Sequence, residues 1–128
     1  MVDSDTTTIR NFTKGKPPSL PFVCIKEAIL GMNYELGISF VSSKKQKEIN
    51  KKYRNINKTT NILSFPISDE SGDISLDLSK VKEDAHLFEM TYPQFLKYLL
   101  IHGLLHLKGM DHSAIMNRQE KKFLKMFS

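Results

Sequence analysis

The sequence has very little cysteine and no long hydrophobic run. Its one cysteine, Cys24, excludes a disulfide within the chain and fits a reducing compartment. Because Cys24 lies in the apolar run 21–25, we interpret it as a small core residue. The most apolar segment, 95–107, contains Lys97 and His102 and is shorter than the ~20 residues that a membrane span needs. The acidic, polar first eight residues do not resemble a signal peptide, so we expect a cytoplasmic protein without a membrane segment.

Charge of one sign is only mildly in excess. Nineteen Lys and Arg residues against fourteen Asp and Glu residues give a net charge of +5. This excess favours polyanionic partners such as nucleic acid, but it suits an ordinary solvated surface equally well. The length of 128 residues and the hydrophobic content of 40% predict one compact domain over 1–128. Residues 1–20 are expected to be irregular, with a short strand near Ile9.

The hydrophobic periodicity predicts a mixed α/β fold, in which helices cover a small mixed sheet of about three to four strands. The segment 71–73 is predicted to be a turn, and 78–85 a loop or a short helix. The predicted helices are 22–33, 44–53, 92–108 and a last one from Asp111 or Ser113 to about 126. The predicted strands are 35–42, 61–66 (stopped by Pro66) and 74–78.

Three of the four histidines lie within eleven residues, from His102 to His112. His102 and His106 are four residues apart on the predicted helix 92–108, so they are offset by about 40° and about 6 Å and can reach one ion. On a continued helix His112 would lie about 15 Å from His102 along the axis. Gly109 tolerates the left-handed conformation that turns the chain back.

Three imidazoles without cysteine suit one Zn²⁺ per chain and leave a fourth position for water, as in catalytic zinc sites. The alternative is three unrelated histidines, two of them packed in the core. Nickel or cobalt would also accept three imidazoles. The same spacing occurs in zinc proteases, but their second position is a glutamate that acts as general base, and here it is Gly103. We interpret Gly103 as leaving room beside the metal for a bulkier substrate.

Four sequence blocks carry a recognisable pattern: Tyr53-Arg54, Thr-Asn-Ile-Leu-Ser-Phe-Pro at 60–66, Gly-Asp-Ile at 72–74 on a strand, and His-Gly-Leu-Leu-His-Leu-Lys-Gly-Met-Asp-His at 102–112. Together they resemble the signature of the YbeY endoribonucleases, over roughly residues 35–125. The first departure from that pattern is Met110, where the family has tyrosine, and the second is Thr59, where proline is common. The chain ends are also short, which puts the family's first strand in doubt.

This resemblance implies a zinc-dependent, single-strand-specific endoribonuclease that acts in 3′-end maturation of 16S rRNA and in ribosome quality control. The family's metal ligands correspond to His102, His106 and His112, and its functionally important arginine corresponds to Arg54. The implied partners are single-stranded RNA, rRNA and the small ribosomal subunit. Ribosomal proteins or a GTPase are further partners to test.

The remaining site residues are weighed on their own chemistry. Arg54 can form two hydrogen bonds to a phosphate. The pattern alone favours a surface arginine on a basic helix, and only the family resemblance favours the functional role. Asp111 can orient His112 or accept a proton, or it can simply cap the last helix. Ser64 is a candidate polar lining residue, Asp73 a structural one and His86 a surface one. The candidate RNA contacts, which also fit a solvated face, are Lys44, Lys45, Lys47, Lys51 and Lys52.

Three classes of function therefore remain open from the residues. The first is a metal-dependent endoribonuclease. The second is an assembly factor that binds RNA or the ribosome and whose zinc is mainly structural. The third, a metalloprotease-like hydrolase, is disfavoured because position 103 lacks the glutamate base.

Overall fold

The structure, a computed structural model, describes residues 6–110 and 113–128. Within those ranges four strands and five helices follow one another. Their order is β1 (Thr7–Asn11), α1 (Phe22–Leu30), β2 (Glu35–Val41), α2 (Ser43–Arg54), β3 (Ile62–Ser68), β4 (Ser71–Asp77), α3 (Leu78–Leu87), α4 (Tyr92–Leu107) and α5 (Ala114–Met126). The strands align as β1-β2-β4-β3, with β3 antiparallel and the other pairs parallel. The predicted mixed α/β class and mixed sheet are confirmed.

One face of the sheet carries the core. Alternating apolar residues of β2 and β4, such as Ile38 and Leu76, are almost completely buried against the helices of this side. Helix α4 buries nine of its residues and packs against α1, α3, α5 and β3. Because such a helix is apolar around most of its circumference, it forms the central element of the helical layer.

The opposite face of the sheet is covered only in part, by α2. Gln46 of this helix donates from Nε2 to the carbonyl oxygen of Ser75 over 3.0 Å, and the Ser75 hydroxyl donates back to Gln46 Oε1 over 2.6 Å. The side chain of Ser75 points away from Ile74 and Leu76, since successive side chains of a strand alternate. Helices α2 and α4 therefore lie on opposite sides of the sheet.

Several predicted boundaries need correction. The short strand expected near Ile9 is confirmed, since residues 7–11 form β1 and pair in parallel with β2. The doubt about the family's first strand is therefore wrong. Pro66 does not stop β3. This strand lies at the edge of the sheet, where a residue without N–H is tolerated, and its pairing is irregular between Pro66 and Ser68. The turn lies at 69–70, so 71–73 belongs to β4.

Two further expectations have opposite outcomes. Cys24 is exposed rather than part of the core, because it falls between the buried positions Phe22 and Ile25 on the outward side of α1. The segment 78–85 is part of a helix, α3, which begins after Asp77. The Asp77 side chain caps it by accepting from the backbone N–H of Lys80.

No helix in the described part of the chain has both the length and the apolar character needed to cross a membrane.

Candidate functional site

Helix α4 holds the two histidines that the sequence places four residues apart. It begins with a capping box, in which the Thr91 hydroxyl accepts from Gln94 N–H and the Gln94 side chain accepts from Thr91 N–H. The helix is then anchored by its buried residues, while His102 and His106 remain half-buried on one side. Rigid packing on both sides of the pair limits how far either imidazole can move.

The two imidazoles face each other through the same kind of nitrogen. Nε2 of His102 lies 3.0 Å from Nε2 of His106, and the rings are nearly perpendicular, with an angle of 82° between them. Two imidazole nitrogens bound to one tetrahedral zinc ion at 2.0–2.1 Å would be separated by about 3.3 Å. In this structure the two nitrogens are in hydrogen-bond contact, so one of them carries the shared proton. They are close enough to bind one ion once that proton is lost.

The other ring nitrogen of His102 contacts a buried carboxylate. Nδ1 lies 2.5 Å from Oε1 of Glu120, which belongs to α5 and is only 7% exposed. Sequence reasoning missed this residue, although a signal existed. Met116, Glu120 and Phe123 recur at helical spacing along the buried face of α5, and a carboxylate on such a face is unusual.

The interpretation of Gly103 as room for substrate is wrong. A Cβ atom at this position would lie 2.9 Å from both Ile62 Cδ1 and Ser64 Oγ of β3, and 3.4 Å from Ile74 Cδ1. Gly103 therefore faces the sheet and permits close contact between α4 and β3. A glutamate at this position would point into the sheet, which adds a physical reason against the protease alternative. Ser64, the candidate lining residue, lies against α4 at the position of Gly103.

The chain leaves α4 through the predicted glycine. Gly109 has a φ of +99°, and its N–H donates to the carbonyl oxygen of His106, while Met110 N–H donates to the carbonyl oxygen of Leu105.

Asp111 and His112 lie outside the described residues, so the third ligand and the candidate proton acceptor stay predictions. Within 6–110 and 113–128, no group of three or more His, Cys, Asp or Glu side chains is arranged to hold a metal ion. Ser113, one of the two predicted caps of the last helix, accepts from Met116 N–H.

Arg54 lies at the end of α2, on the far side of the sheet from α4. It is exposed and lines a small polar depression with Thr59 and Lys80. The Thr59 hydroxyl, at the position where the family has proline, donates to Asp77 Oδ2 over 2.8 Å and ties this loop to the start of α3. The five candidate RNA-binding lysines of α2 are all exposed. The lysines of α2 therefore lie on the opposite face of the sheet from the histidine pair, whereas the depression beside Arg54 also includes Lys80 of α3.

Aromatic rings lie beside both the histidine pair of α4 and the basic helix α2. Tyr98 stacks on His102, with ring centroids 5.9 Å apart. Burial raises the pKa of the Tyr98 hydroxyl above its usual value, and the nearby Glu120 carboxylate raises it further. On the other side of the sheet, the exposed ring of Tyr53 packs 5.3 Å from that of Phe65. The exposed ring of Tyr53 is a surface on which a base can stack.

The two remaining candidates differ in position. Asp73 is exposed on the partly open face of the sheet, where its Oδ1 would lie 2.6 Å from a Cβ added to Gly37. This position gives no support to the structural role predicted for it. His86 is exposed near the end of α3, which confirms it as a surface histidine.

Comparison with known proteins agrees with the motif blocks. Residues 19–128 match the family described as Endoribonuclease YbeY. The chain is 36% identical to a protein of that name from Clostridium botulinum strain Loch Maree, with 81% of each chain covered. It is 32% identical to the protein of that name from Oenococcus oeni, over 73% of this chain and 69% of that one. The solution structure of a Thermotoga maritima protein has a TM-score of 0.67 at 27% identity, over 93% of this chain and 87% of that one.

Proposed function

The chain belongs to the YbeY endoribonuclease family, and on that premise we propose that it is a zinc-dependent endoribonuclease specific for single-stranded RNA. The observation that supports the metal most directly is the pair of Nε2 atoms 3.0 Å apart on α4. His102, His106 and His112 would hold one zinc ion. When bound, zinc supplies a Lewis acid and lowers the pKa of its bound water towards 7. The donor set of imidazoles without thiolate is the one that catalytic zinc sites use.

Other residues of the chain would bind the RNA and transfer protons. Arg54 would bind a phosphate through two parallel hydrogen bonds and offset negative charge that develops during cleavage. The lysines of α2 would hold the RNA backbone through its phosphates. Asp111, next to His112 in sequence, is the proposed proton acceptor or the group that orients His112.

The route of the RNA follows from where these groups lie. Strand β3 is the edge of the sheet, with Ser64 facing α4 and the next residue, Phe65, packing on Tyr53 of α2. An RNA strand that passes over this edge would contact both the cations of α2 and the histidines of α4, because β3 is the edge strand that α4 packs against. A flexible single strand can make that bend, whereas a stiff duplex resists it. This arrangement supports the proposed preference for single strands.

The biological setting is proposed from the family. We place the protein in the cytoplasm, where it would act on the 3′ end of 16S rRNA and in quality control of the small ribosomal subunit. Ribosomal proteins or a GTPase are proposed as protein partners.

The decisive experiment combines metal analysis with RNA cleavage. We expect the purified protein to contain close to one zinc ion per chain and to cut single-stranded RNA in preference to duplex RNA. Removal of zinc by a chelator should abolish cleavage, and added zinc should restore it. His106→Ala should lose at least 100-fold in cleavage because it removes a ligand. Arg54→Ala should lose about 100-fold while it retains zinc.

The outcomes separate the alternatives. Glu83→Gln, which changes an exposed residue of α3, is the control and should cut RNA like the wild type. Full cleavage by zinc-free protein or by Arg54→Ala would contradict the proposed roles. If no variant or wild-type preparation cuts RNA, but the protein binds ribosome precursors and restores their maturation, the assembly-factor function is correct instead.

A further inference from the structure

We propose that Glu120 is a positioning residue of the metal site: its carboxylate holds the His102 imidazole so that Nε2, rather than Nδ1, is presented to the metal. This inference rests on the proposed zinc site and adds α5 to it. A carboxylate oxygen accepts, so we assign the proton of the 2.5 Å contact to His102 Nδ1. The neutral ring then carries its lone pair on Nε2, the atom that lies 3.0 Å from His106 Nε2.

The burial of Glu120 indicates that its contact with His102 is specific. At 7% exposure the carboxylate has lost most of its water, which is costly unless a hydrogen-bond donor replaces it. Its neighbours on the same face of α5, Met116 and Phe123, belong to the hydrophobic core. An apolar residue would pack in this position, whereas a carboxylate is stabilised there by the bond to His102 Nδ1.

The second side of His102 is restrained by an aromatic ring. Tyr98, one turn earlier on α4, stacks on the imidazole at 29° between ring planes. Stacking on Tyr98 restricts the tilt of the His102 ring. The hydrogen bond to Glu120 restricts rotation of the ring about the bond that joins it to Cβ. A carboxylate that accepts from the distal nitrogen of a ligand histidine also makes the imidazole more basic and so a stronger ligand.

The competing explanation is that Glu120 simply clamps α5 onto α4. Both roles predict that loss of the carboxylate destabilises the protein, so stability alone does not separate them. Zinc affinity does, because a clamp distant from the ion would leave the dissociation constant of the folded protein unchanged. The affinity is therefore the informative measurement, and it is independent of RNA cleavage.

The test measures zinc dissociation constants of the full chain by competition with a chromophoric chelator. Glu120→Ala should bind zinc about 10–100-fold more weakly than the wild type. Glu120→Gln, which has the same shape and an acceptor oxygen but no charge, should fall between the two. The control Glu83→Gln makes the same chemical change at an exposed position and should stay within about two-fold of wild type. Circular dichroism and unfolding of the zinc-free proteins identify the folded fraction of each variant.

A second readout identifies the nitrogens directly. In the zinc-loaded wild type, proton–nitrogen correlation spectra of the histidine rings should show His102 protonated on Nδ1 and bound through Nε2. Binding through Nδ1 would overturn the proposal. So would zinc affinities of Glu120→Gln and folded Glu120→Ala within two-fold of the wild type. If Glu120→Ala fails to fold, the isosteric Gln variant decides the question.

These outcomes remain distinguishable from failure of the proposed function. A wild type that binds no zinc overturns both ideas. A wild type that binds zinc but does not cut RNA refutes the nuclease, while the affinity ratios still test Glu120.

Discussion

Helices α4 and α2 lie on opposite faces of the same sheet and are built in opposite ways. Helix α4 buries nine of its residues, almost all apolar, and keeps its two histidines at the border of the core. Helix α2 buries only Gln46 and Asn50, both amides that bond to backbone carbonyls, and exposes its lysines. One helix is held by packing over most of its surface, and the other by a few hydrogen bonds.

The difference matches what each side is proposed to do. Metal ligands must be held to within a few tenths of an ångström, so they belong on an element that cannot shift. Attraction between lysines and phosphates acts over roughly 8–10 Å at physiological salt and tolerates moving side chains. A well-packed helix therefore suits the ligands, and an exposed basic helix suits the RNA backbone.

The largest effect is expected from a change that disturbs the packing of α4 on the sheet. Gly103→Glu restores the sequence pattern of the zinc proteases, but its side chain would meet Ile62 and Ser64 and bury a carboxylate. We expect a loss of about 3–5 kcal/mol in the free energy of unfolding and no peptidase activity. Urea unfolding measures the first, and a casein digestion assay measures the second.

Gly15→Glu is the matched control for this change. No heavy atom lies within 4 Å of a Cβ at Gly15, so the free energy of unfolding should change by less than about 0.5 kcal/mol. Wild-type stability of Gly103→Glu would contradict the assignment of position 103 to the helix–sheet interface.

A smaller effect is expected when α2 loses its charge. Replacing its five exposed lysines, 44, 45, 47, 51 and 52, with glutamine should weaken binding of single-stranded RNA about ten-fold near 0.1 M salt. The dependence of log Kd on log salt should become shallower, by roughly 0.7 for each phosphate that a lysine no longer neutralises. Zinc affinity should not change, because the sheet lies between α2 and the histidines. Filter binding over a salt series measures the RNA affinity.

The lysines of α5 provide the matched control. These control lysines are also exposed, but they lie on the same side of the sheet as α4, namely Lys121, Lys122 and Lys125. An equal loss of RNA affinity after their replacement would show that RNA binding is not confined to the α2 side.

The smallest effect concerns the pH dependence of a buried lysine on the core side, Lys26. Its Nζ donates to Thr6 Oγ1 over 2.9 Å, and burial lowers its pKa below the usual 10.5, an effect that nearby Glu27 partly offsets. Between the two pKa values the unfolded chain binds more protons than the folded chain, so this lysine makes stability rise with pH. The free energy of unfolding of the wild type, relative to that of Lys26→Met, should increase as the pH rises towards 10.5. A difference independent of pH would contradict the shift.

Much of α4 could be predicted because its signals are local. Thr91 and Pro93 mark its start, Gly109 follows its end, and the observed bounds 92–107 differ from the predicted 92–108 by one residue. The residues at which β3 ends and β4 begins could not be predicted in the same way. Whether Pro66 ends a strand depends on whether that strand lies at a sheet edge, which is a property of the pairing.

The sequence by itself determined that His102 and His106 share one side of a helix, because four residues are close to one helical turn. The direction of Gly103, the position of the α2 lysines on the other face of the sheet from the histidines, and the contact of His102 with Glu120 were decided only by the tertiary structure. Each of these depends on which faces pack together over long sequence separations. Residues 102 and 120 are brought together by the burial of two apolar helix faces, and no local spacing rule encodes that meeting.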